Sequence, residues 1–435
     1  MSWATRFRIR QYVTGSLWLV PLLGVVLGVL LGFVDVRVER SINLPPNWTY
    51  SPSTATTELS AIVGAMAALT GFVVTVTVLV VQMAIGTFSA RFMRLWYRDP
   101  MLKAVLAVLV GTLAFTFSLL RRVETTFVPN LGVSIASGLV LVSLLLFVVF
   151  LDEYLHKLRP VAVAALGTGY VRHEFKRLVA ALDAPDVFAE PSVSKRDHPG
   201  FVVHSAAAGA IQAIDLTGLV GWAREHDCLL VLQHRIGDFV PTGAALIDVH
   251  GGRAGTARDE QKLRGMVALG NERTIEQDPA FAIRVIVDVA AKALSAAIND
   301  PTTAVQVLNQ LAEVLRIIGT TDLARGRWPA RNGRPHGLVI PTRSWAEYLA
   351  LGVTEIREYG ASSIQVVRRM RAMLEQLEVE VRSENRRAVA EELARLDDTV
   401  ASAFGRSVDL DRARIADPEG MGGRVDVAGE AVATR

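Results

Sequence analysis

The sequence predicts an α-helical integral membrane protein: four transmembrane helices plus a mostly helical cytoplasmic domain with a small β-module. Three observations predict it. Four uncharged apolar runs, each close to the ~20 residues that cross a hydrocarbon core, fall within the first 160 residues. Basic residues gather at alternate ends of those runs. Beyond residue 160 the hydrophobic pattern shortens to strand-like segments over 201–257 and then takes a helical period over 258–405. The whole chain agrees with this division: 435 residues, 51% hydrophobic, mean hydropathy +0.33.

The predicted spans are 12–34, 60–86, 104–120 and 131–151. The first has no charge between Arg10 and Asp35. Its basic start (Arg6, Arg8, Arg10) is shared with signal peptides, but its apolar run is longer and no small-x-small cleavage site follows, so it reads as a retained helix. The second lies in an uncharged stretch from Ser60 to Ala90, long enough to extend beyond a bilayer. The third is bounded by Lys103 and Arg121, and the fourth ends before Asp152. Arg6, Arg8 and Arg10, then Arg91, Arg94, Arg98 and Lys103, then Lys157 and Arg159 mark one side. The other side has only Arg37, Arg40, Arg121 and Arg122. The richer side is the cytoplasmic one, which places both termini inside and the chain in the bacterial inner membrane.

Two patterns within the spans carry information. Gly24, Gly28 and Gly32 recur every four residues and so share one helix face, where small residues let helix backbones approach. The second span has a small or polar stripe through Ser60, Gly64, Ala67, Gly71, Thr75, Gln82, Gly86 and Ser89. Gln82 is costly in lipid and belongs against protein or water. Gly24, Gly28, Gly32, Gly71, Thr75 and Gln82 are therefore the candidate pore or packing face, with plain helix–helix packing as the simpler reading.

The cytoplasmic part divides into a helix and linker (161–200), a β-rich module (201–257), a helical domain (258–405) and a disordered tail without periodicity (406–435). Strands are expected at 201–204, 210–214, 228–233 and 245–249, with a helix near 216–224, and the stretch 325–341 reads as a loop rich in Arg, Gly and Pro. Asp278-Pro279 and Asp300-Pro301 each open a helix: Asp accepts a backbone N–H at the N-cap, and Pro sacrifices no hydrogen bond at the first helical position. Arg284, Asp288 and Lys292 share one face of the helix after Pro279, with Asn299 and Asp300 in the turn beyond it. These five form the candidate ligand or ion cluster, set against an ordinary salt-bridge ladder worth a few tenths of a kcal/mol.

Catalytic groupings are missing from the sequence. There is no phosphate loop, dinucleotide glycine fingerprint or nucleophile elbow, and His226 and His234 have weak metal-ligand spacing. Gly237-Asp238-Phe239-Val240 with Gly243 and Leu246 resembles the turn of biotinyl- and lipoyl-type modules, but no lysine follows to carry the cofactor. No cofactor and no metal are expected. The 13 Lys/Arg against 7 Asp/Glu in 1–160, and 33 against 36 thereafter, place the basic excess at the membrane and argue against nucleic acid as a partner. Cys228, the single cysteine, allows no intrachain disulfide.

Several strings together resemble a family of predicted bacterial membrane proteins, the domain of unknown function numbered twenty-two fifty-four. They are 59–64, the end of the second span with Gln82 and 88–91, 209–215, 237–240, Glu272-Arg273-Thr274 with Gln277-Asp278, and above all 293–304 with its Ala-Leu-Ser…Asn-Asp-Pro-x-Thr-Ala core. Ala296 stands where the family often has Pro. The resemblance implies a topology and no activity. The function expected is a non-enzymatic homo-oligomeric channel or transporter-like assembly with a cytoplasmic regulatory domain. The alternative is a membrane-anchored cytoplasmic sensor or scaffold that binds a small ligand, an ion or a protein partner.

Overall fold

The structure is a computed structural model that describes residues 1–41, 49–87, 98–157, 159–188, 199–252, 255–323, 330–331, 334–405 and 408–422. Asn47, Ser89, Arg91, Arg94 and the residues from 423 onward lie outside the described residues. The chain is mostly helical, at 67%, and forms two units: 11–159, and 160–435 together with 1–10.

After an N-terminal helix, α1 (Trp3–Gly15), the 11–159 unit holds α2 (Leu19–Glu39), α3 (Pro52–Thr87), α4 (Pro100–Leu120) and α5 (Asn130–Lys157). All four are long and apolar enough to cross a membrane, in agreement with the four predicted runs. Their ends follow local chemistry. Asp99 caps α4 by accepting from the Met101 N–H at 2.9 Å, with Pro100 in the first turn. Ser51 accepts from the Thr54 N–H at 3.1 Å where α3 begins. α3 starts well before residue 60 and has 36 residues, about 54 Å at ~1.5 Å each. Leu102, Leu109, Phe115 and Leu119 of α4 are fully buried among its neighbours.

The other unit begins with α6 (Pro160–Leu182) and combines sheets with a helical layer. Its strands are β1 (Val187–Phe188), β2 (Phe201–His204), β3 (Gly209–Ile214), β4 (Cys228–Leu232), β5 (Phe239–Val240), β6 (Ala245–Gly251), β7 (Val267–Gly270), β8 (Ala330–Arg331), β9 (Arg334–Pro335) and β10 (Gly337–Val339). One sheet runs β1-β10-β4-β6-β2, another β5-β3-β7, and β8 pairs with β9. Every residue of β4 is buried, as befits a strand covered on both faces. Short helices α7 (Leu216–Glu225) and α8 (Ala257–Arg264) accompany the sheets, and Leu219, Trp222 and Leu263 join Val203, Leu230 and Ile247 in one core.

The helical layer is α9 (Pro279–Ala293), α10 (Pro301–Gly319), α11 (Trp345–Tyr359), α12 (Ile364–Glu380) and α13 (Arg386–Phe404), followed by a short α14 (Val408–Ala413). Burial of α9 is nearly all-round, from Ala280 to Ala293, because α6, α10 and α11 all pack on it. Gly167 lets α6 come close: a Cβ there would meet Ile286 at 2.5 Å.

Four expectations from the sequence are corrected here. The loop 325–341 contributes β10, which pairs in parallel with both β1 and β4. The expected linker contributes β1, and the start of the expected helical domain contributes β7. The expected disordered tail is instead structured over 408–422, where it forms α14 and then packs on α12. Arg368 of α12, wholly buried, donates to the Ile415 carbonyl at 3.0 Å and to the Gly422 carbonyl at 2.9 Å, while the Asp417 N–H donates to the Arg368 carbonyl at 3.1 Å. A buried guanidinium needs such acceptors, and the sequence around Ser407 shows no periodicity that announces them.

Candidate functional site

The residues singled out in the sequence fall into three structural settings. In the 11–159 unit, the glycine face of α2 lies directly on α4. A Cβ at Gly24 would stand 2.3 Å from the Ala107 carbonyl oxygen, and one at Gly28 2.2 Å from the Gly111 carbonyl oxygen. At Gly32 it would meet the Ser118 hydroxyl at 1.9 Å. Only hydrogen fits between the two backbones at Gly24 and Gly28, and Gly32 packs on the Ser118 side chain, so the three glycines are used within the chain.

α3 is different. Gly71, Thr75 and Gln82 are exposed, as are Ser60, Gly64 and Ala67 on the same stripe. Nothing lies within 4 Å of where a side chain at Gly64, Gly71 or Gly86 would begin. The Thr75 hydroxyl donates to the Gly71 carbonyl at 2.9 Å, a local bond that leaves the stripe itself uncovered. Among the described residues the stripe is thus left open in this unit.

In the other unit, Arg284 donates to Asp288 at 2.8 Å and forms a two-pronged pair with Glu355 of α11, of which Nη2 to Oε2 measures 2.5 Å. Glu355 first, then Asp288, raises the Arg284 pKa from its ordinary value. Asp300 is spent locally: it accepts from the Thr303 N–H at 3.0 Å and the Thr303 hydroxyl at 2.5 Å. Asn299 sits in the left-handed region at φ 49°, which Asn tolerates, and its N–H donates to the Ser295 carbonyl at 2.8 Å. Arg284 lies nine residues from the end of α9, about 13 Å along the axis at ~1.5 Å per residue. Lys292 lies between the two settings, half-buried. Asp300→Ala is therefore expected to cost about 0.5–2 kcal/mol in thermal unfolding, through loss of the α10 cap. Asp300→Asn should retain most of that cap, and equal loss from both variants would show that the charge matters instead.

A third constellation joins strings that are separate in the sequence. Arg273 donates to Asp278 from Nη2 at 2.7 Å and from Nε at 3.1 Å, and its guanidinium stacks 5.5 Å from the centre of the Phe281 ring. The same guanidinium occupies the space beside Gly237, where a Cβ would meet it at 2.3 Å. Gln277, at φ 58°, turns its amide onto β3, accepting from the Ile214 N–H at 2.9 Å and donating to the Ile214 carbonyl at 3.1 Å. Its own N–H donates to Glu174 of α6 at 2.9 Å. Asp278 caps α9 through the Phe281 N–H at 3.0 Å. Burial pushes the Asp278 carboxyl up from the ordinary aspartate value, with Arg273 pulling it back down. The strings 209–215, 237–240 and 272–278 thus meet at one junction that ties β3, α6 and α9 together. Glu174 and Glu355 are further members that sequence spacing could not supply, each separated by tens of residues from its partner.

Cys228 is fully buried, and burial pushes its thiol up to about 12, so it is shielded from reagents. Among the described residues, no group of three His, Cys, Asp or Glu side chains is placed to hold a metal ion.

Comparison with known proteins places the chain among predicted membrane proteins. Uncharacterized proteins from Mycobacterium tuberculosis (strain CDC 1551 / Oshkosh) and Mycobacterium bovis (strain ATCC BAA-935 / AF2122/97) are each 29% identical over 380 residues, covering 82% of this chain and 70% of their own. No solved structure matches the chain. The family described as "Predicted membrane protein (DUF2254)" matches residues 14–376, most of the sequence. The chain belongs to this predicted membrane protein family.

Proposed function

We propose that the chain is the protomer of a homo-oligomeric, channel- or transporter-like assembly in which the open face of α3 borders a polar pathway. The observation that carries this reading is the exposure of Ser60, Gly64, Ala67, Gly71, Thr75 and Gln82 along one face of a membrane-length helix. Lipid offers nothing to the Gln82 amide, whereas a neighbouring protomer or water does. Small side chains also permit a close helix–helix approach. The distribution of Lys and Arg supports an inner-membrane protein with both termini and the 160–435 part in the cytoplasm.

The test uses single cysteines in the full chain, with shielded Cys228 left in place. Gly71→Cys and Thr75→Cys should cross-link between copies in native membranes, whereas Leu141→Cys on the exposed flank of α5 should not. A charged thiol reagent should also reach Thr75→Cys. Cross-linking without such access would reduce α3 to a packing face, and absence of cross-links would refute the assembly. Cysteines near Asn47 and Pro129 should label from outside and one at Lys157 only after permeabilisation.

A further inference from the structure

Asp35 lies one turn from the end of α2 and is 6% exposed. Both of its carboxylate oxygens are shut off from solvent, and neither has a hydrogen-bond partner among the described residues. The carboxylate fills the notch left by Gly132 of α5: a Cβ on that glycine would lie 2.4 Å from Oδ2, with the Leu119 methyls of α4 at 2.7 and 2.9 Å from the same point. The group is therefore enclosed by apolar atoms and backbone.

One turn further, Glu39 is also buried, at 8% exposure, but in a different environment. It accepts from the Asn130 N–H at 2.7 Å, the Asn130 side-chain amide at 2.9 Å and the Leu131 N–H at 3.3 Å. These donors form the first turn of α5, whose positive dipole end favours an anion. Glu39 is thus provided for as a carboxylate, and its charge lies on the same helix face as Asp35.

The cations nearby are turned elsewhere. Arg37 and Arg40 are exposed on α2, and the Arg40 guanidinium lies 5.1 Å from the Phe127 ring centre. Arg122, beyond α4, donates to the Gly32 carbonyl at 2.6 Å and covers Phe33 at 3.9 Å, while Arg121 is exposed. The last turns of α4 and the first turns of α5 carry no charged residue that faces Asp35. A bare carboxylate without donors in such surroundings, one turn from a second carboxylate, is strongly unfavourable and calls for a compensating charge.

We propose that Asp35 is a monocation-binding site of the 11–159 unit, taking up one proton or one alkali cation from solvent at the end where α2 stops and α5 starts. A single positive charge is the shared chemistry. A proton needs no added volume, whereas an alkali cation would draw on the oxygens of both Asp35 and Glu39. The loaded form is the packed form. Stability therefore falls as pH rises through the site's own titration if the ligand is a proton, and rises with added cation if the ligand is a metal ion.

The experiment follows thermal unfolding of the full chain in lipid nanodiscs from weakly acidic to weakly alkaline pH, first in choline chloride and then with sodium or potassium in its place. For a proton, the wild-type midpoint should fall with pH and ignore the salt. Asp35→Asn, a neutral isostere, should flatten that slope by one titrating group. For a metal ion, sodium or potassium should restore the wild-type midpoint at alkaline pH and leave Asp35→Asn unchanged. Infrared difference spectra of the wild type supply a second readout that does not depend on the variant folding. A protonated-carboxyl band lost on alkalinisation supports the proton arm, and a cation-induced carboxylate shift supports the metal arm. Neither spectral change, or identical pH and salt profiles for wild type and Asp35→Asn, overturns the proposal.

Discussion

Gly28→Ile is expected to disrupt the folded 11–159 unit. The first atom of any side chain at this position would stand 2.2 Å from the Gly111 carbonyl oxygen and 3.0 Å from the Phe115 nitrogen, both backbone atoms of α4. Neither can rotate away as a side chain can, so α2 and α4 would have to separate. Separation would also open the contacts at Gly24 and Gly32, because all three glycines lie on one face. Overpacking of a core usually costs about 1–3 kcal/mol. A backbone clash at the centre of a helix pair belongs at or above the top of that range. Thermal unfolding in detergent, followed by circular dichroism, should show a large fall in the midpoint or no folded protein. Gly71→Ile on α3 is the matched control, since nothing lies within 4 Å of that position and folding of the single chain should survive. A Gly28→Ile protein that melts with the wild type would mean that the two helices do not meet at this face.

Arg273→Met should be a strongly damaging change in the 160–435 part, at about 1–3 kcal/mol, the usual cost of leaving a buried acceptor without its donors. Asp278 is only 3% exposed and would lose both of its guanidinium donors. The space beside Gly237 and the face of Phe281 would lose their cover as well. Asp278→Asn removes the charge and keeps an oxygen that can accept from the Phe281 N–H. The double variant should therefore lose less than the sum of the two single changes, a coupling that thermal unfolding of all four proteins measures. The pH dependence has a definite sign. Burial raises the Asp278 carboxyl in the folded state, and removal of Arg273 takes away the largest opposing influence. Arg273→Met should then be most stable at acidic pH and lose stability as pH rises through the folded-state value. If it melts like the wild type at every pH, Arg273 is a surface residue in effect and the junction is held by Gln277 and Glu174 alone.

Much of this architecture could be read from the residues. The charge-free run from Leu19 to Val34 encodes most of α2 because a bilayer-length apolar helix needs only its own composition and internal hydrogen bonds, whereas the break at Ser16–Trp18, which gives the start of the expected 12–34 span to α1, was not announced. Asp278-Pro279 and Asp300-Pro301 encode two helix starts because a cap and its first turn lie within four residues of each other. The strand segments 201–204 and 228–232 were legible from their apolar runs and the turn residues around them. The four-residue spacing of Gly24, Gly28 and Gly32 announced a close contact, though not its partner.

What the residues could not announce depends on distant parts of the chain. Gly337–Val339 becomes a strand because β1 and β4 flank it on either side, although its own surroundings read as a loop. Arg284 finds Glu355, and Gln277 finds Ile214 and Glu174, across separations that no helical or strand period spans. Asp35 read as the polar boundary of an apolar run. Only the packing of α4 and α5 turns it into an enclosed carboxylate, while Glu39 one turn away is satisfied. The sequence by itself determined the four apolar helices, their capped neighbours and the change of pattern after residue 160, since each follows from interactions within a few residues. The tertiary structure alone decided which glycines are consumed inside the chain, which face of α3 stays open and which buried charges find partners, because burial and pairing are set by residues brought together from remote positions.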